Sequence, residues 1–300
     1  MTRVSQKMIS INYYHLISKL VLITFFTITI VSCSNDDDGP PSMNFNEISQ
    51  DIKNLIYFRG DEKSSTVVIT VPGGPSIELA AELVDYFSVA FNTRDVLNVT
   101  VHQAQTLNPE IIEGNEITLA QAVNFNTESV ETLYQVVQYF KDEGRTVYVV
   151  GISYGAFLTQ ELIAEKGIDV ADKYLIMTGR LDINNVFWQG LAEGRPAEFE
   201  NGVTPIVDAD PFQEVFKRNE ARLFAGLVMN RYTQDFNTIE SLSNVTYIYG
   251  ETDEAVGSLT AEEVAFLQSK NTNIIAGSGG HDDIFDDYIV QGFSEAFGIE

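Results

Sequence analysis

The segment Val147-Tyr148-Val149-Val150-Gly151-Ile152-Ser153-Tyr154-Gly155-Ala156-Phe157 constrains the fold more than any other. A β-branched run leads straight into Gly151-Ile152-Ser153-Tyr154-Gly155, and a helix-compatible stretch follows with no spacer. The chain must turn from strand to helix within a few residues, which leaves Ser153 in a strained conformation at the apex. A side chain at either flanking position would collide with the neighbouring strand or helix, so both are glycine. The helix behind the serine aims backbone N–H groups at any negative charge that develops there.

From Phe45 onward the same alternation continues, with no repeat or low-complexity segment. Short apolar, β-branched runs mark buried strands at Thr66–Val71, Leu97–His102, Thr146–Val150, Tyr174–Thr178, Val245–Tyr249 and Asn273–Ala276. Val130, Leu133, Val137 and Phe140 fall at helical spacing, and Gly144 stops that helix. Further helices are expected at Ile77–Phe91, Ala156–Glu165, Ala261–Ser269 and Ile284–Ala296, and residues 48–58 supply one or two early strands. Strands separated by helices imply an α/β fold, a mostly parallel twisted sheet covered on both faces. One stretch breaks the pattern. About 182–240 carries Phe187, Trp188, Phe199, Phe212, Phe216, Phe224 and Met229, interrupted by Pro196, Pro205 and Pro211. A structureless loop of that length is improbable in a compact domain, so an inserted, largely helical cap is expected.

A serine that is to act as a nucleophile needs a base such as an imidazole to take its proton. Apart from His15 near the N-terminus, the chain holds only His102 and His281. His281 follows a strand through Gly277-Ser278-Gly279-Gly280, a loop that lets a side chain swing over the sheet edge. His102 lies within an apparent strand and reads as structural.

Strand, Gly-x-Ser-x-Gly and helix together resemble the nucleophile elbow of the α/β-hydrolases, over roughly residues 50–300. The resemblance implies an acyl-enzyme mechanism with Ser153 as nucleophile and His281 as base, in the chain order serine, acid, histidine. Pro72-Gly73-Gly74-Pro75, at the end of the strand Thr66–Val71, resembles the His-Gly-Gly-Pro oxyanion loop of proline iminopeptidase-like members, with Pro72 in place of histidine. Prolines donate no N–H, so Gly74 is the expected oxyanion donor, paired with the N–H of Tyr154. The turn Gly250-Glu251-Thr252-Asp253 resembles the family's acid turn, which makes Asp253 the expected carboxylate. Asp182, after the preceding strand, is the alternative, and Glu251 and Asp282 are weaker candidates.

Residues 1–32 read as an address. Arg3, Lys7 and Lys19 precede the apolar run Leu20–Val31, which is too short to span a bilayer as a helix. Ile30-Val31-Ser32-Cys33 resembles a bacterial lipobox, which implies cleavage before Cys33, the chain's single cysteine, and its lipidation. Residues 33–44 are acidic and rich in Gly and Pro, a flexible tether. An acidic run directly after the cysteine resembles the surface-export signal of Bacteroidetes-type lipoproteins. A lipid-anchored protein of the bacterial cell envelope, in the outer membrane with either the inner face or the cell surface open to it, is therefore expected, with residues 45–300 forming the hydrolase domain.

With 18 Lys+Arg against 43 Asp+Glu the formal net charge is −25, which excludes nucleic-acid phosphates as a partner. No His/Cys/Asp cluster at ligand spacing and no dinucleotide fingerprint is present, so neither metal nor organic cofactor is implied. The expected function is ester hydrolysis on a small-molecule or lipid-like substrate. An aminopeptidase or prolyl-peptidase is the first alternative, with Glu193, Glu198, Glu200, Asp208 and Asp210 as cap carboxylates for a peptide amine. A non-catalytic binding lipoprotein on the same fold is the second.

Overall fold

A computed structural model describes residues 45–91 and 95–300. The address, Cys33 and the tether lie outside the described residues. Strand β1 (Ile56–Arg59) pairs antiparallel with β3 (Val96–Val101); β2 (Thr66–Val71), β4 (Thr146–Ile152), β5 (Lys173–Met177), β8 (Val245–Gly250) and β9 (Asn273–Gly277) join them in a seven-stranded sheet. Its order is β1-β3-β2-β4-β5-β8-β9, parallel throughout except at β1.

Because strand side chains alternate, the sheet has two apolar faces. Val67, Ile69, Val71, Val147, Val149, Tyr174 and Ile176 pack under α2 (Leu119–Asp142) and α3 (Tyr154–Lys166). Val68, Val150, Ile152, Leu175, Met177 and Ile248 pack under α1 (Ala81–Ala90) and α7 (His281–Phe297), where Phe87, Phe91 and Phe293 form an aromatic cluster. Helix α6 (Ala261–Ser269) leads into β9.

One expectation, the place of His102 within a strand, needs correction, and two others gain detail. Residues 48–58 contain one helical turn, Gln50–Lys53, and only then a strand, β1. His102 lies one residue past β3, its N–H bonded to Leu55 O at 2.9 Å. Helix α2 starts far upstream of its apolar stripe, at a Thr118/Gln121 capping box. Its first half buries Ala122, Asn126 and Ser129, small or polar residues that carry no hydrophobic periodicity.

The insertion between β5 and β8 holds α4 (Asn185–Ala192), α5 (Val215–Val228) and a helical turn at Tyr232–Asp235. It also holds an antiparallel hairpin, β6 (Ala197–Glu200) and β7 (Thr204–Val207), so it is not only helical. Asn201 and Gly202, at φ 52° and 71°, turn that hairpin. Asn-Gly supplies the two positive-φ residues a tight hairpin turn requires.

Candidate active site

Ser153 sits between β4 and α3 with φ 54° and ψ −119°, a region L-residues rarely occupy. Its N–H is held at the end of β5 by Met177 O at 3.0 Å and Thr178 Oγ1 at 3.1 Å. The flanking glycines are enforced by contact. A Cβ at Gly155 would lie 2.0 Å from Val71 O, and one at Gly151 would lie 2.4 Å from Thr159 Oγ1. Helix and neighbouring strands close tightly behind the turn, and the Ser153 side chain stays partly exposed.

Strand β9 ends at Gly277, three residues cross the sheet edge, and α7 begins at His281. His281 Nε2 lies 2.9 Å from Ser153 Oγ, and Nδ1 lies 2.8 Å from Asp253 Oδ2. Asp253, only 1% exposed, also accepts the N–H groups of Ala255 and Val256 through Oδ1, both at 2.9 Å. With both oxygens engaged, the carboxylate cannot rotate away from the ring. Glu254 Oε2 accepts the His281 N–H at 3.2 Å, tying the acid loop to the start of α7. Burial alone would lower the His281 pKa; the hydrogen bond and charge of Asp253, with the charges of Asp282 and Glu254, outweigh it and raise the imidazole above its ordinary 6.5.

The acid loop rests on the insertion. Phe199 N donates to Glu254 O at 2.8 Å, Ser258 N donates to Gly202 O at 2.7 Å, and a Cβ at Gly202 would lie 2.8 Å from Glu251 O. The hairpin that the sequence reading missed thus braces the loop that carries Asp253.

Asp182 is elsewhere. Its carboxylate accepts the N–H of Thr233 at 3.3 Å and the Thr233 hydroxyl. It lines a cleft of about 370 Å³ with Thr233, Thr260, Glu262, Glu263 and Phe266, away from Ser153 and His281. Nor does it cap α4, whose N-cap is Asn184, accepting from Val186 N at 2.8 Å. Glu251 and Asp282 are exposed and do not meet the imidazole. His102 Nδ1 meets Thr106 Oγ1 at 2.9 Å, and burial lowers its pKa.

At the loop after β2, Gly73 is the glycine seated against the serine: a Cβ there would lie 3.4 Å from Ser153 Cβ and 3.9 Å from Oγ. Gly74 follows at φ 147°, and a Cβ there would lie 2.6 Å from Ser76 N. The loop is anchored by Gln103, 1% exposed, whose Nε2 donates to Pro72 O at 2.9 Å, and Gln105 in turn donates to Gln103 Oε1. Neither glutamine stood out in the sequence, because mid-chain amides carry no motif. A cleft of about 510 Å³ opens three residues beyond Gly73, lined by Ser76, Ile77, Glu78, Ile112, Glu113, Phe216 and Glu220. The five carboxylates expected in the cap are not among these residues. Glu193, Glu198, Glu200, Asp208 and Asp210 are all exposed outside it.

Among the described residues no helix is long and apolar enough to cross a membrane. No protein-family model and no curated protein matches the sequence. Solved structures do match the fold. An α/β-hydrolase enzyme from a Medee Basin deep-sea metagenome library superposes with a TM-score of 0.51 at 15% identity, covering 81% of this chain and 94% of that one. An esterase from Exiguobacterium antarcticum superposes with a TM-score of 0.50 at 9% identity, covering 80% and 92%. Sheet order, strand–serine–helix turn and these likenesses make the fold that of the α/β-hydrolases.

Proposed function

We propose that this chain is a serine hydrolase that cleaves a carboxylic ester through an acyl-enzyme. One observation carries the reading: Ser153 Oγ, His281 Nε2, His281 Nδ1 and Asp253 Oδ2 form a continuous relay with links of 2.9 and 2.8 Å. Ser153 Oγ attacks the ester carbonyl while His281 Nε2 takes its proton, then returns it to the leaving alcohol. Asp253 keeps the Nδ1–H tautomer, so Nε2 is free to accept, and it stabilises the imidazolium that forms. The N–H groups of Gly74 and Tyr154 receive the oxyanion of the tetrahedral intermediate. Water, activated by the same imidazole, then releases the acid. A binding-only role leaves a solvent-reachable serine aligned on a buried imidazole–carboxylate pair with nothing to do. The test is a fluorophosphonate probe on residues 34–300: it should label the wild type and not Ser153→Ala, and labelling that persists in that folded variant would move the nucleophile elsewhere.

A second reading, an amine-bearing substrate of the aminoacyl or peptide kind, is favoured by the cleft beside the oxyanion loop. Glu78, Glu113 and Glu220 line it between Ile77, Ile112 and Phe216. Among the described residues none of the three has a salt-bridge partner, whereas nearby Glu116 is held by both Arg218 and Arg222 and its pKa falls to about 2. An apolar wall with carboxylates outside any salt bridge, Glu220 being half-buried with its pKa raised by burial against the opposing charge of Lys217, suits a cation attached to an apolar body.

Anchoring is part of the same proposal. Cys33 carries the lipid, the tether separates it from the domain, and the enzyme works at the bacterial outer membrane, on its surface. More than one acyl chain is needed for firm attachment.

A further inference from the structure

The residue after the nucleophile has a side chain the mechanism does not use. Tyr154 is fully buried, and burial pushes its hydroxyl pKa up, so it remains a hydrogen-bond donor. It donates to Asn126 Oδ1 on α2. Asn126 is 3% exposed, and its Nδ2 donates to Leu223 O on the cap helix α5 at 2.9 Å. That second bond fixes which amide atom faces the tyrosine. The two helices meet closely at this level: a Cβ at Gly226 would lie 2.8 Å from Asn126 Nδ2 and 3.2 Å from Val123 N. One amide therefore bridges the cap and the tyrosine at the first turn of α3, inside packed surroundings where Phe224 meets the Tyr154 ring edge-on.

We infer that Asn126 is a positioning residue that sets the Tyr154 N–H against the oxyanion by tying the Tyr154 side chain to the cap. This rests on the serine-hydrolase reading above. The Tyr154 N–H is the first of α3, so it has no intrahelical acceptor and points out from the helix. Its direction follows the orientation of the Tyr154 peptide. That peptide is held on one side by the Ser153 N–H bonds to Met177 and Thr178, and on the other by the tyrosine ring. The ring is clamped at its far end by Asn126. A cap helix that shifts takes Leu223 O, then Asn126, then the ring with it, so substrate held under the cap acts on the oxyanion donor. An oxyanion interaction forms only in the transition state, so its misalignment lowers kcat and spares KM.

The test compares Tyr154→Phe, Asn126→Leu and the double variant on a short neutral ester, with thermal unfolding measured alongside. Tyr154→Phe keeps the backbone N–H and the ring, and removes only the bridge. The expected result is a kcat lowered by about ten- to a hundredfold, below the loss of a whole oxyanion donor, with KM within about twofold. The double variant, with no orphaned polar atom, should recover thermal stability toward wild type while kcat stays low. Gly226→Ala, which presses the cap off Asn126, should lower kcat in the same sense. Variants that keep kcat within about twofold while Tm drops would overturn the inference and leave Asn126 a structural bridge. If Asn126→Leu does not fold, Tyr154→Phe decides alone. A wild type without Ser153-dependent turnover is a separate failure, that of the hydrolase reading itself.

Discussion

Asp253 reaches His281 Nδ1 with one carboxylate oxygen at 2.8 Å and holds two backbone N–H groups with the other. The acid is thus locked by its own loop before it meets the histidine, and that loop is braced by the β6–β7 hairpin. Orientation of the imidazole depends on contacts spread over three separate stretches of chain.

Exchange of the acid should separate the two aspartates. Asp253→Asn should stay folded and lose about 10⁴-fold in turnover, because the amide favours the wrong tautomer. Asp182→Asn should remain active and lose on the order of 1 kcal/mol of stability, as its bonds to Thr233 weaken. Ester turnover and thermal unfolding of both variants check this; the reverse pattern would falsify the assignment of Asp253.

The pH dependence follows from the raised His281 pKa. The imidazole must be neutral to take the serine proton, so kcat/KM should fall as pH drops through a value above 6.5. Folding stability should slope the other way. Because the folded pKa exceeds the unfolded one, the protonated histidine stabilises the fold fully below about 6.5, and that contribution is lost as pH rises through the folded pKa. A pH series of unfolding on Ser153→Ala with and without His281→Gln isolates the term: the slope in this window should flatten when the histidine is gone.

Charge preference tests the amine-bearing reading. If the cleft takes a cation, an ester with an ammonium on its acyl chain should show lower KM than its neutral isostere. Glu113→Gln and Glu220→Gln should each raise KM for the cationic ester by about two- to fivefold, the range of partly exposed ion pairs, and leave the neutral one unchanged. Equal KM values for both esters in the wild type would remove the second reading and leave simple ester hydrolysis.

Anchoring should track one atom. Cys33→Ala should lose metabolic lipid label and release the protein from membranes, and external protease should reach the wild-type domain in intact cells. Unchanged labelling of Cys33→Ala would end the lipoprotein proposal.

What the sequence determined by itself is the local part. Thr66–Val71 and Ala261–Ser269 are strand and helix with the very bounds their residues imply, and the other parallel strands shift by two residues at most, while β1 fills only the end of residues 48–58. Gly151 and Gly155 signal the strained turn at Ser153 because a Cβ at either position has nowhere to go. Scarcity named His281, since only two histidines lie in the described chain. Two local signals were present and passed over: the Asn201-Gly202 turn and the Thr118/Gln121 cap. Tertiary structure alone decided the rest. The turn after β8 made Asp253 the expected acid, but its contact with His281 exists only through the pairing of β8 with β9. Gln103 at Pro72 O and Asn126 between Tyr154 and Leu223 leave no trace in periodicity. A buried amide is defined by partners 31 and 97 residues away, and those partners exist only once the sheet has closed.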